Sequence, residues 1–322
     1  MDIRAFDEKV RAYAAEHPVS GQVRLTVCDE VLYDGFFGCA DADTGRPFAG
    51  GDRFTLYSLT KPFVAMGLLR LADEGRVDLD AHPSRYVPEA EGFDGRVTVR
   101  LLLHHESGLP DFLQTEGFTR RPAPLREQIR ELSACPSFFA PGEGSRYSNI
   151  NFTLCALIIE SVSGLHYAEY MKRFVFEPLG MKTVSVDDGK TPVPRLVSGS
   201  RAVDGKLVSV SRCTEYLFGA GDLTGTAEDV YALNRAVKHR LILKPDTWDM
   251  ALTPAPVSGF GMGCYVGFLH GHPRVMHTGG HTGFRNLHLH LTEEDIDLIL
   301  LLNCENAAAR EDITEILAET VL

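Results

Sequence analysis

Apolar and polar residues alternate over residues 22–30 and again over 31–39, which predicts two strands joined by a tight turn. Four further strand-like runs stand near the other end of the chain, at residues 260–269, 274–277, 285–291 and 296–303, with a turn over 292–295 joining the last two. Between these groups the period changes from two to helical. Residues 62–73 read as an amphipathic helix closed by Gly75, and Thr98 can cap a helix through Leu101, Leu102 and Leu103 that stops at Ser107-Gly108. A charged helix is expected over 125–132. Phe152, Cys155, Ile158, Ile159 and Val162 recur at helical spacing within 151–163, ending at Gly164. Thr226 and Asp229 have capping-box spacing, with Asp in place of Glu, ahead of another helix. Residues 1–16 are charged and amphipathic, and 310–321 form a closing helix.

Strands at both ends around a helical middle predict an α+β fold: one antiparallel sheet, built from the N- and C-terminal segments and flanked by helices, with a helical lobe inserted. A single domain over 1–322 is expected, with its sheet lobe at about 1–60 and 190–322 and its helical lobe at about 61–189. An apolar content of 44% over 322 residues is enough for a large core. The net charge of −12 argues against nucleic-acid and anionic-membrane partners, which need clustered cations. No apolar run approaches the roughly 18–20 residues that span a bilayer. The first segment lacks an apolar signal core, so a cytoplasmic location is expected. Cysteines at 28, 39, 135, 155, 213, 264 and 304 are scattered, without a C-x-x-C pair, and are expected to be reduced and mostly buried.

The candidate chemistry begins at Ser58-Leu59-Thr60-Lys61, where a loop turns into a helix. A three-residue separation on a helix places the serine hydroxyl and the lysine amine on one face. Pro62 fits a first helical turn. A hydroxyl beside a partly buried amine is the arrangement of an activated serine nucleophile. Tyr147 and Asn149, in the loop 141–149, are two residues apart, and an extended backbone aims both to one side; a phenol can relay a proton and an amide can hold a carbonyl oxygen. His277-Thr278-Gly279-Gly280 ends a predicted strand, where glycines admit a substrate close to the backbone and leave N–H groups as oxyanion donors. Each motif alone reads equally as a cap or a turn; the three together do not.

Ser58-x-x-Lys61, Tyr147-x-Asn149 and His277-Thr278-Gly279 resemble, in order and approximate spacing, the serine β-lactamase-like hydrolases. That family includes class C β-lactamases, D-alanyl-D-alanine carboxypeptidases, D-aminopeptidases and esterases, with a β-lactamase/transpeptidase-like fold. Other segments share the likeness: Leu79-Asp80, Tyr86-Val87-Pro88, Leu101-Leu102-Leu103-His104, Ser107-Gly108-Leu109-Pro110-Asp111 and Pro178-Leu179-Gly180-Met181. The resemblance implies that Ser58 is acylated, with Lys61 taking its proton. Tyr147 would relay that proton or protonate the leaving group, and either Lys61 or Tyr147 is the principal base. It further implies that Asn149 orients Lys61 and substrate, that the N–H groups of Ser58 and Gly280 form an oxyanion hole, and that His277, Thr278 and Gly279 line the pocket.

Two departures matter. The third motif begins with His277 rather than the Lys of most β-lactamases. Some D,D-peptidases and many esterases and D-aminopeptidases of this fold also have His, so the resemblance points away from β-lactam hydrolysis. With no export signal expected, an esterase or small-peptide (D-amino-acid type) hydrolase is favoured, with β-lactamase or D,D-carboxypeptidase activity the alternative. Asp222, in Ala220-Gly221-Asp222-Leu223, stands where glycine is usual in relatives. The expected partner is a small-molecule ester, amide or peptide substrate, with specificity set by loops around 112–121 and 208–218. No cofactor is expected. Histidines two apart (His270 and His272, His288 and His290) can bind zinc on a strand, yet no nearby Asp, Glu or Cys completes an evident ligand set, so no metal is expected either. The alternative of another class is a non-catalytic binder using the same pocket.

Overall fold

The two ends of the chain meet in one sheet. A computed structural model describes residues 1–116 and 124–322. Along the chain, α1 (Ile3–Glu16) precedes the hairpin β1 (Gly21–Val27) and β2 (Glu30–Phe37). The short strand β3 (Phe54–Thr55) leads through a single 3-10 turn, Tyr57–Leu59, into α2 (Thr60–Asp73). Helices α3 (Val99–Leu103), α4 (Leu125–Ser133), α5 (Asn149–Ser163) and α6 (Tyr167–Met171) follow. Next come β4 (Ser185–Val186), the hairpin β5 (Gly199–Val203) and β6 (Lys206–Val210), and β7 (Leu223–Gly225). Helices α7 (Ala227–Lys238) and α8 (Pro245–Leu252) lead into β8 (Tyr265–Leu269), β9 (His272–His281), β10 (Phe284–Leu291) and β11 (Ile296–Leu302), and α9 (Ala308–Thr320) closes the chain.

The main sheet has strand order β2-β1-β11-β10-β9-β8 and is antiparallel throughout. Gly21 pairs with Leu302 and Val27 with Ile296, so the first and last strands lie side by side. Every residue of β11 is buried. The near-continuous run Ile-Asp-Leu-Ile-Leu-Leu-Leu is the signature of a strand covered on both faces. Leu298, Leu300 and Leu302 pack with Phe6, Val10, Ile313 and Leu317 of α1 and α9, while Ile299 and Leu301 join the larger core around α2 and α5. A small sheet, β3-β7-β4, braces the entry to α2. Among the described residues no single helix is long and apolar enough to cross a membrane.

Several expected elements shift. The first hairpin turns at Cys28 and Asp29, both at positive φ (49° and 66°), so the first strand ends at Val27 and Glu30 belongs to the second; a two-residue turn of this hand matches the twist of its strands. Helix α2 is not amphipathic: Thr60 to Leu69 and Leu71 are all buried, because α5 and α6 pack against it and it shares the larger core with Val275, Ile299 and Leu301 of the sheet. Strand β9 runs on through the glycines, with Gly279 opposite Asn286 and Gly280 opposite Arg285. The capping box Thr226–Asp229 forms, as does the Thr98 cap. The seven cysteines make no disulfide, and Cys28 is exposed.

Candidate active site

Ser58 stands in a turn held from three sides. Leu56 donates its N–H to the Leu223 carbonyl of β7 at 2.8 Å, and Asn286 of β10 donates to the carbonyls of Thr55 and Leu56 at 2.9 and 3.3 Å. Gly279 of β9 lies so close that a Cβ there would sit 2.1 Å from the Leu56 carbonyl oxygen. Under these tethers Tyr57, directly before the serine, takes a positive φ of 48°, a strained conformation for a bulky residue. The Tyr57 hydroxyl accepts the Cys213 N–H at 3.4 Å and donates to the Thr282 carbonyl at 3.2 Å.

Lys61 is one turn further and fully buried, at 0% exposure. Its Nζ is 2.9 Å from Ser58 Oγ, 2.9 Å from Asn149 Oδ1 and 2.6 Å from the Ala220 carbonyl oxygen. Burial depresses its pKa from 10.5 to about 7, against the opposing pull of the Asp111 and Asp222 carboxylates. The neutral amine suits these partners: its two N–H groups meet the two pure acceptors, and its lone pair is left for the serine O–H.

Tyr147 presents its ring 4.8 Å from Lys61 Nζ. Its hydroxyl is buried, with the Ser58 hydroxyl as its neighbour; desolvation raises its pKa and the Ser58 hydroxyl opposes the rise. His105 backs the phenol, ring centroids 4.4 Å apart. The Ser148 N–H reaches His105 Nδ1 at 3.2 Å, so the ring proton sits on Nε2. His277 Nδ1 lies 2.7 Å from the Thr278 carbonyl, which makes Nε2 an open acceptor. Burial, with Lys61 nearby, pushes the His277 pKa down to about 3, so the ring is neutral. Ser58, Tyr147, Tyr265, Thr278, Gly280, Arg285 and Arg310 line one cleft of about 210 Å³.

Asp111 is the residue whose role sequence reasoning did not foresee. Its carboxylate accepts the Ser148 hydroxyl at 2.9 Å and the N–H groups of Asn149 and Ile150 at 2.6 and 3.1 Å, capping α5 from a distant loop. That cap aims Asn149 at Lys61. The signal was the segment Ser107 to Asp111, noted only as a likeness. Arg285 and Arg310 were also missed, since nothing local marks a strand or helix arginine as facing a cleft. Residues 117–121 of the expected specificity loop lie outside the described residues.

The strand histidines have protein partners. His270 Nε2 is 2.8 Å from Glu315, His272 meets Glu294, and His288 meets Asn234. Asp295 and Asp297 do converge on His290, but Lys238 Nζ already holds Asp295 at 2.6 Å.

This arrangement, a serine, a buried lysine, a tyrosine and the glycine-rich end of a strand between a sheet and a helical cluster, defines the class. The Beta-lactamase family model matches residues 6–321, and the chain belongs to that family. It is 27% identical to Penicillin-binding protein 4* of Bacillus subtilis over 95% of this chain and 73% of that protein. It is 30% identical to Esterase EstB of Burkholderia gladioli over 86% of this chain and 81% of that one. Its fold superposes on a D-amino acid amidase from Ochrobactrum anthropi with a TM-score of 0.83, at 24% identity and covering 98% of each chain.

Proposed function

We propose that the protein is a serine hydrolase that cleaves ester or amide bonds of small substrates through an acyl-enzyme on Ser58. The observation that carries this reading is the fully buried Lys61 amine 2.9 Å from Ser58 Oγ. Ser58 Oγ bonds to the substrate carbonyl carbon as its proton passes to Lys61 Nζ. The resulting oxyanion is received by the N–H groups of Ser58 and Gly280, which line one cleft. Collapse breaks the bond to the leaving alcohol or amine, which takes a proton returned by Lys61 through Tyr147. Water then attacks the acyl carbon by the same route and frees Ser58. Because the Tyr147 pKa is raised, the phenol stays protonated and acts as a relay, which leaves Lys61 as the principal base.

The relatives include an esterase, an amidase and penicillin-binding proteins, and the neutral His277 favours esters and D-amino-acid amides. A second reading, the D,D-carboxypeptidase type, is favoured by Arg285 and Arg310 in the cleft, which suit an anionic substrate. A fluorophosphonate probe tests the common core: one equivalent should attach at Ser58 and none in Ser58→Ala. Labelling retained in that variant would count against the mechanism. A panel of esters, D-amino-acid amides and β-lactams, with and without a carboxylate, separates the substrate classes.

A further inference from the structure

Asp222 is buried at 2% exposure beside the machinery just described. Its Oδ2 accepts the Gly219 N–H at 2.9 Å. That bond closes a turn in which the Ala220 and Gly221 N–H groups both donate to the Leu217 carbonyl, at 2.7 and 2.8 Å. The turn is tightly seated: Gly219 has φ +68°, and a Cβ there would lie 2.3 Å from the Ala156 Cβ. Its product is the Ala220 carbonyl, which receives Lys61 Nζ. On the far side the Asp222 carbonyl accepts the Asp187 N–H at 2.6 Å, and Leu223 N–H donates to Thr60 Oγ1 at 3.1 Å, next to Lys61.

The second carboxyl oxygen, Oδ1, and the Tyr167 hydroxyl of α6 are buried near each other, with no other partner among the described residues. Burying a carboxyl whose second oxygen has no backbone donor is costly, so packing alone gives no reason for an acid here. We infer that Asp222 is a positioning residue for Lys61, fixing the Ala220 carbonyl against the amine and placing a buried, ionisable carboxyl within electrostatic reach of it. The inference deepens the proposed function and rests on it.

The groups facing this pair are few. Lys61 is faced by Asp111, Tyr147, His105 and His277, and Asp222 by Lys61, Tyr167 and Asp187. Asp187 is itself held by Arg212 at 2.7 Å and Thr214 at 3.0 Å. Burial, aided by Asp187, lifts the Asp222 pKa to about 7, so its charge appears over the range in which Lys61 loses its own.

Asp222→Asn keeps the size and the acceptor for Gly219 while abolishing the charge. The Lys61 titration, read from the 13Cε shift of lysine-labelled protein, is expected to fall by about 0.5–1 pH unit, because an ammonium loses its favourable neighbour. The acid limb of kcat/KM should move with it. Asp222→Gly, which cuts the tether as well, is expected to lower kcat about tenfold with KM changed far less. Should Asp222→Asn fail to fold, Tyr167→Phe takes the phenol from beside the carboxyl and is expected to move Lys61 the same way. An unmoved Lys61 titration, with or without a drop in Tm, overturns the inference and leaves hydrolysis standing. Absence of Ser58-dependent turnover in the unaltered protein overturns the functional reading instead.

Discussion

The strongest commitment concerns pH. A lysine at 10.5 is neutral in roughly one molecule in a thousand at pH 7.5, whereas one at about 7 is neutral in roughly three quarters. The structure therefore makes the base several hundred times more available, and the cause is removal of the amine from water rather than a neighbouring cation. Neither His277 nor Tyr147 titrates nearby: the His277 pKa lies at about 3 and that of Tyr147 is raised. The profile of kcat/KM on an activated ester should rise through a limb near pH 7 and stay level to pH 9, with Asp222 sharing that limb. Lys61→Met should cost about 10²–10⁴-fold and leave activity that climbs with hydroxide without a plateau. The stability sign runs the same way. Between about pH 7 and 10.5 the unfolded chain binds the proton that folded Lys61 has lost, so the penalty for burying the amine is relieved as pH rises across that window. A flat activity profile from pH 5 to 9, or Lys61→Met within tenfold of the parent, refutes the reasoning.

Two further perturbations probe the supports. Asp111→Ala strips the acceptor from Ser148, Asn149, Ile150 and the Leu113 N–H, and urea unfolding should show a loss of about 3 kcal/mol with kcat lowered more than KM raised; a loss under 1 kcal/mol would show that water replaces the cap. Gly279→Ala forces β9 away from the Leu56 carbonyl, and ester turnover should fall at least tenfold in a folded protein; near-normal kcat would mean that the spacing of strand and nucleophile turn is not used.

Much of this was readable from the residues. The alternating ends and helical middle gave the antiparallel sheet, and spacing within Ser58–Lys61 gave the shared face. What escaped was tertiary. Helix α2 carries apolar residues on every side with a lysine among them, and no period of its own reveals that it packs against α5 and α6 and shares the larger core with the sheet. The strand end was set at His277 because glycines read as a turn, yet pairing with Asn286 and Arg285 continues the ladder. Asp111 sits 38 residues from Asn149, whose N–H it accepts, and a cap delivered across that separation leaves no local pattern.

The charges of the site follow one logic. Four of the five titratable groups that face Lys61 (His105, His277, Tyr147 and Asp222) are pushed toward their uncharged forms, chiefly by desolvation. A resting cavity of neutral groups costs little to keep dry, which is what allows the amine to remain a base. In the proposed step, Lys61 becomes a cation as Ser58 loses its proton and an oxyanion forms on the carbon that Oγ attacks, so the two charges would arise together at short range in a low-dielectric setting. A permanent ammonium in place of His277 would disfavour that step by repelling the new Lys61 charge, while helping an anionic substrate to bind. Here two cations, Arg285 and Arg310, stand on the cleft wall, and Asp111 and Asp222 oppose the loss of the lysine's proton from behind. In the proposed mechanism that division would put the attraction for an anionic substrate and the tuning of the base on different side chains, so that each could be altered without the other.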